Sequence, residues 1–315
     1  MDLKKNDNQI DAFKLNNICA KFNRVLWGDY VETNNLIYDW NEIDYDISRN
    51  PANHPHGVWF DDETLRDGLQ SPSARNPTIE QKKELLSYME KLGIQKVDLG
   101  LPGAGPFHRE HINSMLSHII DNDYQIRPGA AVRTLMNDIE PLVEMQEKHG
   151  IPIQASAFLG TSPIRQYTEG WTMEKLISTM ETAVSYAVEN DVPVMFVTED
   201  TTRSKPEDVK AIYQRAMELG VRRLCVCDTC GHVTPNGVKK LLSFIDEEVI
   251  KDGGYQRRDI EVNWHGHQDR GLGVANNIAA VEAGADVIHG TALGVGERAG
   301  TVSYTHLRAH ETRNY

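Results

Sequence analysis

Residues 194–228, VMFVTEDTTRSKPEDVKAIYQRAMELGVRRLCVCD, carry the pattern that decides the fold. Val194–Thr198 is a short apolar run rich in β-branched and aromatic side chains, which reads as a strand. Polar residues Glu199 and Asp200 follow it. Ser204-Lys205-Pro206-Glu207 then sets proline and an acid in a first helical turn, and Pro206–Leu219 repeats its apolar positions at helical spacing. Arg223–Asp228 returns to strand character. Strand, helix and strand in this order form a βα unit around a parallel sheet.

The same alternation extends in both directions. The other strand candidates are Val58–Asp62, Lys96–Gly100, Arg127–Arg133, Ile153–Phe158, Ile260–His265 and Asp286–Gly290. Helical stretches between them include Thr78–Leu92, Met173–Glu189, Pro235–Asp246 and Leu272–Ala283, and Thr172 stands where a cap for the second of these belongs. Eight strands with helices between them over about 245 residues predict an α/β fold of the (β/α)8 TIM-barrel kind. A doubly wound sheet is the alternative, but it would draw its ligand crevice from few strand ends, whereas polar residues follow nearly every strand here.

Outside the alternation, residues 1–56 are polar and rich in Asn and Asp, with Trp27, Tyr30, Tyr38, Trp40 and Tyr45 interspersed. They read as an N-terminal extension that packs on the barrel through its aromatics. The barrel is assigned to 57–300. Residues 301–315 lack an apolar stripe and read as a non-native tail, so the barrel is expected to be truncated before its eighth helix.

The chain has 315 residues, 40% of them hydrophobic and 25% charged, which suits a globular protein and excludes a disordered one. No stretch approaches the roughly 20 apolar residues that span a bilayer. A net charge of −13 argues against nucleic acid and anionic membrane as partners. Three of the four cysteines crowd into Cys225, Cys227 and Cys230, which is no disulfide framework, and a reducing cytoplasm is the expected location. Cys227 and Cys230 with His232 look like half a zinc ribbon, but only Cys19 remains to complete it.

In a barrel of this kind the site forms where strands end. Strand one runs into Asp62-Glu63-Thr64-Leu65-Arg66-Asp67-Gly68-Leu69-Gln70, and strand seven ends in His265-Gly266-His267. Side chains two apart on a strand share a face, so His265 and His267 can bind one cation with a carboxylate such as Asp67 completing the set. Composition alone also produces such pairs, as His54-Pro55-His56 in a proline-broken loop illustrates. Arg66 and Arg133 suit a carboxylate or an enolate oxygen. Glu199 is a candidate general base, and Thr229 offers a hydroxyl to substrate.

These segments resemble the metal-dependent Claisen-type acyltransferases of the isopropylmalate, homocitrate and citramalate synthase family, which share a superfamily with hydroxymethylglutaryl-CoA lyase. The resemblance rests on Phe60–Pro72, Thr198–Ser204, Asp228–Gly231, His265–Leu272 and Gly290–Gly300, in the right order. It implies that Asp67, His265 and His267 ligate a divalent cation (Mg, Mn or Zn). Arg66 and Glu199 would be catalytic, and Gln70, Arg133 and Thr229 would bind substrate. Acetyl-CoA would be condensed with a 2-oxo acid, with thioester hydrolysis after it. The family implies a homodimer at full length.

Two positions depart from the family pattern: Thr301 replaces an Asn that contacts the metal, and Gln268 stands where Asn is frequent. With downstream segments missing, weak or no turnover is expected of residues 1–315 alone. The loop Gly290–Gly300 lacks the reactive cysteine of the lyases. The apolar, Gly-rich stretch Asp98–Gly105 at the strand-two mouth favours a small branched acceptor such as 2-oxoisovalerate, which leans toward the isopropylmalate branch. Homocitrate and citramalate synthesis are the alternatives, together with a lyase or a non-catalytic ligand-binding barrel.

Overall fold

The structure, a computed structural model, describes residues 38–40, 57–305 and 307. Eight strands close into a barrel: β1 (Trp59–Asp62), β2 (Lys96–Asp98), β3 (Arg127–Arg133), β4 (Gln154–Gly160), β5 (Val194–Glu199), β6 (Arg223–Asp228), β7 (Glu261–Gly266) and β8 (Val287–Gly290). Each pairs parallel with the next, and β8 closes on β1 with Asp61 opposite His289. The (β/α)8 reading therefore holds, and the open sheet is excluded by the β1–β8 pairing.

The helices are α1 (Ile79–Leu92), α2 (Pro106–Asp121), α3 (Met136–His149), α4 (Pro163–Glu169), α5 (Met173–Glu189), α6 (Pro206–Glu218), α7 (Pro235–Phe244) and α8 (Gly273–Glu282). Local signals set their ends. Thr78 caps α1 by accepting from the Gln81 N–H, and the Gln81 side chain returns a bond to the Thr78 N–H. Thr172 caps α5 by accepting from the Lys175 N–H, as its position in sequence suggests. Helix α7 stops short of the expected Asp246, because residues 245–251 continue as a wider π-helical turn.

Strand alternation separates two interiors. Phe60, Val97, Ala130, Val132, Phe196, Leu224, Val226, Trp264 and Ile288 point outward and pack under the helices in one continuous apolar core. The lumen-facing set differs. Its apolar part includes a small cluster of Met195, Cys225 and Cys227 with Val197 packed against it. Beside these stand Asp61, Lys96, Asp98, Gln154, Ser156, Asn263, His265 and His289, all buried. Barrels of this architecture normally fill the lumen with branched aliphatic residues. Burying ions costs several kcal/mol each before pairing, so a charged lumen is a departure that marks a functional interior.

Of the expected N-terminal extension, only Tyr38–Trp40 falls among the described residues. Trp40 is fully buried, stacks edge-on against Phe244 with ring centroids 4.9 Å apart, and donates Nε1–H to the Ser204 carbonyl at 3.0 Å. Trp27, Tyr30, Tyr45, Cys19 and the His54–His56 pair lie outside the described residues. At the other end, Thr301–Tyr304 is buried against the barrel mouth, with Thr301 bridged to His267 and Ser303 to Thr291. No described helix is long and apolar enough to cross a membrane.

A candidate metal centre at the barrel mouth

Strand β7 delivers His265 and places His267 one residue past its end. Their Nε2 atoms lie 3.1 Å apart, and both side chains are buried. Asp67, in the turn after β1, is fully buried beside them. The Thr301 hydroxyl sits between, donating to Asp67 Oδ2 at 2.6 Å and lying 3.4 Å from His265 Nε2. The loop after β8 fixes the carboxylate further. Glu297 N–H donates to Oδ1 at 3.1 Å and Thr301 N–H to Oδ2 at 3.1 Å. Gly296 is required at this point, because a Cβ there would overlap the Asp67 carboxylate.

The two imidazoles are spaced as ligands of one divalent cation would be. Two ligand atoms about 2.1 Å from an ion and at right angles to each other lie ~3 Å apart, which is the spacing of the two Nε2 atoms. Burial pushes His265 below its ordinary value despite Glu63, and burial with the neighbouring His265 pushes His267 down to about 4, so both imidazoles are neutral near pH 7. Burial alone would raise Asp67, but Arg66, His267 and His265 outweigh it and hold the carboxyl below its usual range.

Arg66 borders this group. Its Nη1 lies 4.0 Å from Asp67 Oδ1 and donates to Gln70 Oε1 at 3.1 Å, while Nε and Nη2 grip Glu63 Oε2 at 2.7 and 2.6 Å. Glu199 ends β5 with Oε2 3.6 Å from Arg165 Nη2. Burial raises its carboxyl above the usual value, with Arg165 offsetting only part. The Thr229 hydroxyl accepts from the Asp200 N–H at 2.8 Å, which leaves its own proton free to donate. The Thr229 carbonyl accepts from Arg298 Nη2, the same nitrogen that lies 3.3 Å from His267 Nδ1. Arg298 takes a left-handed backbone (φ 57°), a conformation that L side chains adopt at a cost and that recurs at functional loops.

The structure pairs His265 with His267 and sets Asp67 across the Thr301 hydroxyl from them, with Arg66 and Gln70 at the edge. Arg133 stands apart: both its Nε and Nη2 are engaged by Asp138, at 2.8 and 2.7 Å, and among the described residues no hydrogen bond links it to the histidines. The cysteines form no metal group with the described residues: Cys225 and Cys227 face each other at 3.9 Å in the lumen, and Cys230 accepts from Arg203 at 3.1 Å.

Sequence reasoning missed Glu63 and His289. Glu63 Oε1 lies 2.8 Å from His289 Nδ1 and 3.3 Å from His265 Nδ1. Ligand atoms of Glu63, His265 and His289 lie within 4.8 Å of one another, the one group of three among the described residues that meets this spacing, and it shares His265 with the mouth pair. Burial would raise Glu63, but Arg66, His265 and His289 outweigh it and keep the carboxyl well below its ordinary value. The Asp61-Asp62-Glu63 run is the one sequence signal: alternation puts Asp61 and Glu63 on the lumen face.

A cavity of about 1560 Å³ opens at the other end of the barrel, lined by strand starts including Trp59, Lys96, Arg223, Glu261 and Asp286. Ion pairs within the lining join Lys96 to Glu261 at 2.5 Å and Arg257 to Asp286 at 2.7 Å. Barrel enzymes place their chemistry at the C-terminal strand ends, where the histidines lie.

A closed parallel barrel with buried imidazoles and carboxylates at its mouth defines a (β/α)8 protein with a candidate cation site as the class. The HMGL-like family profile matches residues 58–311, and the chain belongs to that family. It is 33% identical over 243 residues to 2-isopropylmalate synthase of Oceanobacillus iheyensis, covering 77% of this chain and 45% of that one. It is 30% identical over 250 residues to homocitrate synthase AksA of Methanopyrus kandleri, covering 79% and 58%. Hydroxymethylglutaryl-CoA lyase from Pseudomonas aeruginosa shares the fold, with TM-score 0.66 and 16% identity over 81% of this chain and 85% of that one. The chain spans about half the length of the first curated relatives it matches.

Proposed function

We propose that this chain is the catalytic barrel of an acyltransferase that condenses acetyl-CoA with a 2-oxo acid, in the manner of the 2-isopropylmalate synthases it resembles. The convergence of Asp67, His265 and His267 at the mouth, with Arg66 beside them, carries the reading. A divalent cation on those three side chains would supply Lewis-acid polarisation of the acceptor carbonyl. Arg66 keeps Nη1 toward the mouth while Glu63 fixes its other edge, so it can face oxygen on which negative charge develops. Glu199, raised by burial, is the group suited to take the methyl proton of acetyl-CoA at a carboxylate oxygen. Thr229 Oγ–H and Gln70 would orient the 2-oxo acid, and Arg133 would meet its carboxylate with the edge that Asp138 leaves open.

A small branched acceptor such as 2-oxoisovalerate suits the stretch Leu99–Gly105 beyond β2. Discrimination by one or two methylenes is worth only about 1–3 kcal/mol, so acceptor identity requires measurement. The location proposed is cytoplasmic, and a homodimer is proposed for the full-length protein. A thiol-release assay with acetyl-CoA and 2-oxoisovalerate, 2-oxoglutarate or pyruvate, with and without Mg²⁺ or Mn²⁺, tests the reading on the full-length gene product. Cation-dependent CoA release with 2-oxoisovalerate is the expected result. No release with any 2-oxo acid sinks the proposal.

A further inference from the structure

The lumen carries a connected run of hydrogen bonds that ends on the proposed ligand His265. Lys96 Nζ donates to Glu261 Oε1 at 2.5 Å, and Asn263 Nδ2 donates to the same oxygen at 2.9 Å. Because the Asn263 amide nitrogen is spent on a carboxylate, its Oδ1 is the atom facing His289 Nε2, at 3.3 Å. His289 Nδ1 faces Glu63 Oε1 at 2.8 Å. His289 thus lies between an amide oxygen and the Glu63 carboxylate, and its shorter contact, through Nδ1, is the one to Glu63.

This order leaves one assignment for His265. Its Nδ1 lies 3.3 Å from Glu63 Oε1 and 3.3 Å from His289 Nδ1. The His289 nitrogen already donates to Glu63, so it offers His265 no lone pair, and the one acceptor within reach is the carboxylate. The His265 proton therefore sits on Nδ1, and Nε2 is bare toward His267 and Asp67. The other Glu63 oxygen meanwhile holds Arg66 through two bonds. One buried carboxylate sets the tautomer of a ligand and the direction of an arginine at once.

We propose that Glu63 is a positioning residue: it locks His265 in the Nδ1–H tautomer that presents Nε2 to a cation, and His289 on β8 fixes Glu63 in turn. The proposal rests on the reading of Asp67, His265 and His267 as the cation set. Carboxylates that accept from the far nitrogen of a ligating histidine tune affinity by roughly 10–100-fold.

Long-range ¹H–¹⁵N correlation of histidine-labelled, cation-free protein reads the tautomer directly, and calorimetric Mn²⁺ titration reads the affinity. Wild type is expected to show His265 as Nδ1–H. Glu63→Gln is expected to populate Nε2–H and to weaken Mn²⁺ binding by about 10–100-fold, with Glu63→Asp intermediate. An Nε2–H tautomer in wild type overturns the proposal even where Glu63→Gln fails to fold. Unchanged tautomer and affinity in a folded Glu63→Gln overturn it as well. Lost binding in Glu63→Gln alongside normal binding in Asp67→Asn and His267→Ala would put the cation on Glu63, His265 and His289 and overturn it too. An unaltered Mn²⁺ affinity in His265→Ala counts against the cation set itself, and the tautomer readout still decides the role of Glu63.

Discussion

The Thr301 hydroxyl donates to Asp67 Oδ2 at 2.6 Å, and the Thr301 N–H reaches the same oxygen at 3.1 Å. One carboxylate oxygen thus ties the turn after β1 to the chain that follows β8, across the barrel seam. A hydrogen bond to a buried charge contributes about 1.5–3 kcal/mol. Thr301→Val keeps the shape and removes the donor, and should lower Tm by several degrees. Thr301→Asn, which restores an amide oxygen, should bind Mn²⁺ at least as tightly as wild type in calorimetric titration. Weaker binding by the Asn variant would detach Thr301 from the site.

Asp67→Asn and His267→Ala should each cost several kcal/mol of cation binding, at least ~10²-fold in Kd. His267→Ala should melt within a few degrees of wild type, because its side chain lies outside the outer apolar core, whereas Asp67→Asn should also lower Tm by weakening the bonds from Thr301 and Glu297. Retained Mn²⁺ affinity in both variants would remove the cation from this position.

Gly296→Ala inserts a Cβ into the Asp67 carboxylate, whereas Gly68→Ala meets nothing closer than Thr64 Cγ2 at 3.6 Å. Overpacking of this kind costs about 1–3 kcal/mol. The expected pair is a lower Tm with weakened Mn²⁺ binding for Gly296→Ala and little change for Gly68→Ala. Equal behaviour of the two would argue that the β8 loop does not lie against Asp67.

Burial raises Asp62 from its ordinary 3.8 to about 7. Between those values the folded protein holds a proton that the unfolded chain has lost. The stabilisation is complete below the unfolded value and declines as pH rises, by at most ~1.4 kcal/mol per pH unit, until about pH 7. Asp62→Asn cannot ionise, so its Tm should overtake that of wild type as pH rises from 5 to 8. Parallel Tm profiles would show Asp62 charged throughout.

The barrel was legible because its signal is local. Alternation within Val194–Glu199 or Arg223–Asp228, and caps such as Thr172, need no knowledge of distant residues. His265 and His267 were legible for the same reason, two apart at a strand end, and Asp67 because strand ends make sites in this architecture. Glu63 and His289 were not. They lie 226 residues apart, and what joins them is the β1–β8 register that sets Asp61 opposite His289. Arg133 was legible as a charged strand end, but its capture by Asp138 depends on how α3 docks, which spacing does not reveal.

The polar lumen divides the protein into two materials with different tolerances. The greasy sleeve between strands and helices supplies cohesion, so damage there should appear as misfolding. The inner column is largely ionisable, and swapping its charged members for aliphatic ones of equal bulk should harden the barrel while silencing it. Variants that gain heat resistance and lose their work are therefore to be sought along that inner column.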